Sequence, residues 1–82
     1  MLSELKEGAK VVGVKQTQRA LNDGSVRLVF LADDADPRVT EPVEALSREK
    51  GVAVERVPHM KELGSACGIA VGSAVAALIK ER

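Results

Sequence analysis

The stretch LGSACGIAVGSAVAALI, residues 63–79, carries no charged side chain in a chain of which 29% is Asp, Glu, Lys or Arg. Three readings compete for it: a membrane span, one long buried helix, or several short elements. A spanning helix needs about 20 predominantly apolar residues. This run is shorter and is broken by Gly64, Gly68 and Gly72 and by Ser65 and Ser73, so the membrane reading fails. The glycines divide it instead. HMKELGSACG reads as a short helix with Met60, Leu63 and Cys67 inward and Gly68 as its stop. SAVAALIK reads as a closing strand, and GIAVGS is left as the connection between them.

Working outward, VAVERV is a strand ended by Pro58. VRLVFLA is nearly continuous in apolar, β-forming residues, as expected of a central strand covered on both faces. Asp36 followed by Pro37 marks a helix start, a carboxylate cap before proline at the first helical position. Val39, Val43 and Leu46 would form that helix's inward stripe, and Gly51 would end it. Pro42 falls inside the pattern and implies a delayed start or a distorted first turn. In VKQTQRALNDG, Val14, Thr17 and Leu21 recur at helical spacing, with closure at residues 22–24. Lys15, Gln16 and Arg19 then share the opposite, solvent-facing side. KVVGV is a short strand, and SELKEGA a short helix with Ser3 as a possible cap and Leu2 and Leu5 inward. The order α-β-α-β-α-β-α-β implies an α/β fold, a three-layer α/β/α sandwich around a central mixed sheet of about four strands. Without repeats or linkers, residues 1–82 form a single domain.

Composition narrows the function classes. A lone cysteine, Cys67, excludes an internal disulfide and suits a reducing, cytoplasmic setting. The opening MLSELKEGAK is charged where a secretory signal would be apolar, so a soluble protein is expected. With 45% apolar residues but only Phe30 aromatic, the core is aliphatic. Net charge is zero, which argues against bulk electrostatic attraction to nucleic acid. The distribution is less even: Lys10, Lys15 and Arg19 cluster without an acid, whereas Asp33, Asp34, Asp36, Glu41 and Glu44 face only Arg38. Ordinary surface scatter would explain this equally well.

Catalysis has little to work with. His59 opens a helix, where a surface or capping histidine is the simpler reading. Asp33, Asp34 and Asp36 follow a central strand, a common position for metal or phosphate chemistry, but Asp36 already has a capping role. Cys67 has no neighbouring histidine or second cysteine and reads as a small core residue. No phosphate loop or dinucleotide fingerprint is present. We expect no enzyme activity, no metal and no cofactor.

Two surfaces remain unexplained by packing. At the helix start GVKQTQR, Gly13 permits close backbone approach, the first amides attract anions, and Lys15, Gln16 and Arg19 project together. These residue types read phosphates and base edges, although a merely solvated face would look the same. In GIAVGS, the branched apolar Ile69 and Val71 lie in a loop, where side chains are normally exposed. They are either tucked under the sheet end or offered to a partner, and an apolar lid beside a polar edge would suit an unstacked base.

Taken together, GVKQTQRAL, LVFLADDADP and LGSACGIAVGSAVAAL resemble the superfamily of kink-turn-binding ribosomal proteins that includes L7Ae and L30e, and most nearly its small bacterial YbxF-type members. The resemblance spans nearly the whole chain and implies the same sandwich fold. It implies a single RNA-binding domain that recognises an RNA helix bent at a three-nucleotide bulge beside tandem sheared G·A pairs, in rRNA or a regulatory RNA. It further implies that Gly13, Lys15, Gln16 and Arg19 enter the widened major groove. Many members carry G-x-N-E-x-x-K there, so Lys15, Gln16 and Arg19 replace Asn, Glu and Lys, and the site has lost an acid. Gly68, Ile69, Ala70 and Val71 match the apolar loop that packs on bulged-out nucleotides, with Gly72 and Ser73 at its edge. The implied partners are kink-turn RNA and, by association, the ribosome, with no DNA, no membrane and no need for more than a monomer. A protein–protein adaptor on the same scaffold, using the acidic surface or the apolar loop, is the alternative; a small enzyme or metal protein built on the aspartates is a third.

Overall fold

The computed structural model describes Leu5 and residues 8–80. Strands β1 (Lys10–Val12), β2 (Val26–Ala32), β3 (Ala53–Val57) and β4 (Val75–Ile79) form one sheet in the order β1-β4-β2-β3. The sheet is mixed: β2 pairs parallel with β3, and β4 runs antiparallel to both β1 and β2. Helices α1 (Val14–Asn22), α2 (Pro37–Glu49) and α3 (Met60–Ala66) complete the described elements. The expected first helix, with Ser3 and Leu2, lies outside the described residues apart from Leu5, which is helical and fully buried.

The strands hold the layers apart by alternation. Phe30, Ala32, Ala76 and Leu78 face α3 and Leu5 on one side. Val29, Leu31, Val75 and Ala77 meet Ala20 and Leu21 of α1 and Val43 of α2 on the other. The register with β4 shifts between Val26 and Leu28, at Arg27. The shift changes the parity, so Val26 joins Val29 and Leu31 while Leu28 packs with Phe30. The expected three-layer α/β/α sandwich with a mixed four-stranded sheet is therefore the fold observed.

Local chemistry sets the element ends. Asp36 Oδ1 accepts from the Arg38 backbone N–H at 2.9 Å, and Pro37 begins α2 with no delay. Pro42 is carried within α2, which runs on to Glu49. Gly24 and Gly51 take positive φ, 72° and 69°, just beyond α1 and α2, where a side chain would be strained. One expectation fails: Val39 is not inward but 37% exposed. The buried face of α2 runs through Thr40, Val43 and Ser47, spaced i, i+3, i+7. Two of these are hydroxyl residues, and the Ser47 hydroxyl is satisfied locally by donating to the Val43 carbonyl at 2.7 Å.

Candidate nucleic-acid interface

At one end of the sheet, β1, β2 and β3 finish and β4 begins. Three backbone bonds tie the connections there together: Gly13 N–H to Val75 O at 2.9 Å, Ala32 N–H to Ala74 O at 2.9 Å, and Asp33 N–H to Val57 O at 2.7 Å. The start of α1 and the segment leading into β4 are thus joined directly, and the acidic turn of residues 33–36 lies on the β2–β3 side of the same end.

On α1, Thr17, Ala20 and Leu21 are buried, and Lys15, Gln16 and Arg19 are exposed. Gly13 precedes the helix with φ of 98°, and among the described residues nothing but its own chain neighbours lies within 4 Å of where a Cβ would stand. A left-handed backbone here excludes most residues, and the open space permits close approach. The first amides of any helix have no intrahelical acceptor; among the described residues no side chain caps these, and no acid in the first turn offsets the positive end of the helix dipole. Among the described residues, neither Lys15 nor Arg19 forms an ion pair.

The loop of residues 68–73 returns from α3 to β4. Ile69 is 38% and Val71 is 71% exposed, and Ala70 is exposed beside them. Gly68 takes φ of 79° at the end of α3. The Gly68 N–H donates to Ser65 O at 3.0 Å and the Ile69 N–H to Gly64 O at 3.1 Å, the paired bonds of a Schellman stop. In that motif the residue at the Ile69 position frequently packs on the side chain at the Gly64 or the Leu63 position. Gly64 offers only hydrogen, which leaves Leu63 as the available apolar neighbour. At the other end of the loop the Ser73 N–H donates to Met60 O at 3.0 Å, and the buried Ser73 hydroxyl to Val75 O at 2.7 Å. The loop therefore seals against α3 with its backbone, and leaves Val71 largely and Ile69 partly open to solvent. Gly64 was not singled out by sequence reasoning. A glycine inside a helical pattern costs about 1 kcal/mol against alanine and so asks for a packing reason, which was the available signal.

The acidic turn is built differently. Asp36 caps α2 and also pairs with the Arg38 guanidinium at 2.9 Å, contacts that hold its carboxyl below the ordinary value. Asp33 lies 3.3 Å from Arg56, whose other nitrogen is 3.1 Å from Glu44, and these acids raise the Arg56 pKa further. Asp34 Oδ1 accepts the Met60 N–H at 2.7 Å, capping α3 from across the turn, while its Oδ2 is 3.6 Å from His59 Nδ1. Among the described residues no three His, Cys, Asp or Glu side chains converge as a metal site would require. Cys67 is buried, and burial pushes its thiol up, only partly offset by Lys10. A thiol kept protonated is a poor nucleophile. No described helix is long and apolar enough to cross a membrane.

The class of protein is set by this arrangement: a mixed four-stranded sheet between helical layers, with a polar helix start and an exposed apolar loop joined at one end. The sequence profile of the ribosomal protein L7Ae/L30e/S12e/Gadd45 family matches residues 2–82. The chain belongs to that family. It is 46% identical over 76 residues to an RNA-binding protein of Geobacillus sp. strain WCH70, and 45% identical over 76 residues to the RNA-binding protein YbxF of Geobacillus stearothermophilus, in each case across 93% of both chains. It is 37% identical over 73 residues to the large ribosomal subunit protein eL8 of Halobacterium salinarum, covering 88% of this chain and 61% of that one. Among solved structures, the Giardia lamblia 15.5kD RNA binding protein superposes with a TM-score of 0.91 at 29% identity, over 98% of this chain and 71% of that one.

Proposed function

We propose that this protein binds structured RNA at the kink-turn, holding the tandem sheared G·A pairs with the start of α1 and the bulged nucleotides with the loop of residues 68–73. The observation that carries the reading is the junction at Gly13. Its N–H bonds the Val75 carbonyl, so the polar face of Lys15, Gln16 and Arg19 and the exposed Ile69 and Val71 stand at the same end of the sheet. A bent RNA offers both kinds of surface at once: base edges and phosphates in a widened groove, and unstacked bases. Relatives named as RNA-binding proteins, aligned over 93% of the chain, support it.

Lys15 donates to guanine O6 or phosphate, Gln16 donates and accepts at base edges, and Arg19 offers a bidentate fork. Gly68, Ile69, Ala70 and Val71 cover the extruded bases. The free RNA samples bent and extended forms, and a protein that binds only the bent one shifts the population towards it. A chain of zero net charge gains little non-specific phosphate attraction, which leaves selectivity to shape. The protein acts without catalysis, metal or cofactor, as a cytoplasmic monomer with one RNA-binding domain. Both rRNA and regulatory RNA fall within this target class. An adaptor that used the acidic surface has less support, because Asp33, Asp34, Asp36 and Glu44 are engaged within the fold, in helix caps and ion pairs; one that used the apolar loop would compete with RNA for the same residues.

The test is an electrophoretic shift with a kink-turn RNA and with the same RNA after its sheared G·A pairs become Watson–Crick pairs. The first should bind and the second should not. Lys15→Ala and Arg19→Ala should each weaken binding by roughly 10- to 100-fold, as loss of a base or charged contact of about 1–3 kcal/mol implies, and lower the salt slope by about 1 where a phosphate contact is lost. Equal affinity for both RNAs would refute the reading.

A further inference from the structure

The apolar loop rests its backbone on a residue that does not belong to it. Gly64 lies inside α3, fully surrounded, with an ordinary helical φ. Its glycine identity is therefore no conformational requirement. What demands it is space: a Cβ on Gly64 would fall on the Val71 carbonyl oxygen, and would stand 3.0 Å from both Gly72 Cα and the Val71 carbonyl carbon. From the opposite side, a Cβ on Gly72 would stand 3.1 Å from Met60 Cβ, 3.2 Å from the Met60 carbonyl carbon and 3.3 Å from the Lys61 nitrogen. The loop backbone and α3 meet through two glycines with no side chain between them.

The bonds that hold this contact come from carbonyls one helical turn apart. Gly64 O takes the Ile69 N–H and Met60 O takes the Ser73 N–H, at 3.1 and 3.0 Å. Asp34 fixes the other end of α3 by accepting the Met60 N–H at 2.7 Å. Both ends of the loop are thus fastened to α3, and α3 is fastened to the turn after β2. Between the fastenings, Ile69 is partly and Val71 largely exposed.

We propose that Gly64 is a positioning residue for RNA recognition: by admitting the Val71 carbonyl against α3, it sets the height at which Ile69 and Val71 stand, so that the loop meets RNA already formed. This rests on the RNA-binding reading above for its consequence, but not for its geometry. A preformed loop loses less conformational freedom on binding. Pushed from α3 by a single methyl, it must either lift away from Gly64 or tilt, and the two apolar side chains move relative to the start of α1.

The experiment compares Gly64→Ala and the milder Gly72→Ala with the wild type and with Ser65→Ala, an exposed neighbour on the same helix. Three quantities are read: amide exchange at Ile69 and Ser73, thermal unfolding, and affinity for the kink-turn RNA. In Gly64→Ala, exchange at Ile69 and Ser73 should accelerate by about tenfold or more relative to β2 amides, because the opening is local. Affinity should fall by roughly tenfold, a loss typical of one displaced anchor. Ile69→Asp should cost less affinity in the Gly64→Ala background than in the wild type, since coupled residues are not additive. Gly72→Ala should show the same pattern more weakly, and Ser65→Ala none of it. Gly72 is exposed, so its variant keeps the fold even if Gly64→Ala unfolds. Unchanged exchange at Ile69 and Ser73 in Gly72→Ala, or in a folded Gly64→Ala, overturns the proposal. So does full additivity with Ile69→Asp. Failure of the wild type to bind the RNA would refute the functional reading instead, while the exchange measurement would still decide the loop's position.

Discussion

Two connections at the same end of the sheet, the acidic turn of residues 33–36 and the apolar loop of residues 68–73, invert the usual expectation about where function lies. The turn is dense in charge, yet its carboxylates are engaged within the fold: Asp36 with the start of α2 and Arg38, Asp34 with the start of α3, Asp33 with Arg56. The loop has no charge, and its backbone is the part that is engaged. Its apolar side chains stay open to solvent, Ile69 at 38% and Val71 at 71% exposure. A cluster of aspartates is what a search for metal or phosphate chemistry would stop at, whereas a run of small apolar residues resembles core. The difference teaches that partnership, not polarity, marks the surface free to act. Charges that neutralise one another shape the fold, and exposed apolar atoms with nothing to cover them are the ones a ligand can satisfy.

The sharpest way to break this comparison is to place a charge in the loop. Ile69→Asp should weaken kink-turn RNA binding by about 10- to 100-fold, given that fully covering an aliphatic side chain contributes about 1.5–3 kcal/mol and that a carboxylate would also face phosphate. Thermal unfolding should hardly change, because Ile69 is more than a third exposed already. A large drop in melting temperature with unchanged RNA affinity would show Ile69 to be a packing residue.

That outcome bears on what was legible beforehand. Strong local signals transferred well. The run VRLVFLA gave β2, Asp36 with Pro37 opened α2, and Gly51 and Gly68 stood just past helix ends. The readings that failed or stayed open depended on contacts between distant residues. Val39 was expected inward because the apolar pattern cannot count Thr40 and Ser47 as core, yet both are buried. The change of face around Arg27 comes from the ladder between β2 and β4, which no pattern within β2 reveals. Whether Ile69 and Val71 face inward or outward is decided by the space above Gly64, and that space exists only once α3 and the returning chain have met. The exposure of Lys15, Gln16 and Arg19 followed from helical period; that they stand at the same end of the sheet as the loop follows from sheet topology.

Removing charge from the turn gives the second, smaller effect. Asp34→Ala deletes the acceptor for the Met60 N–H and should lower stability by roughly 1 kcal/mol, the usual cost of losing a helix cap. RNA affinity should fall only as far as α3 loosens, well short of the loss from Ile69→Asp. Asp34→Asn keeps an acceptor oxygen and should recover most of the stability. Chemical denaturation of the three proteins with a common slope measures it. If Asp34→Asn were as unstable as Asp34→Ala, the negative charge facing His59 would matter more than the cap.

The smallest effect belongs to Asp36, and its sign is fixed. The Arg38 guanidinium, and then the Arg38 backbone N–H, hold its carboxyl below the ordinary value. A carboxylate whose pKa is depressed by folding contributes stability that is complete above the unfolded-state value and is lost as pH falls through the folded-state value. Asp36→Asn can still accept from the Arg38 N–H, but it cannot form the ion pair. Melting temperatures of wild type and Asp36→Asn should therefore differ slightly at neutral pH and converge as the solution is taken down through the carboxylate range. Because the pair is solvent-exposed, added salt should narrow the gap as well. A gap that persisted at low pH would mean that the carboxamide fails as a cap, and the contribution of Asp36 would then be its hydrogen bond to the helix start and not its charge.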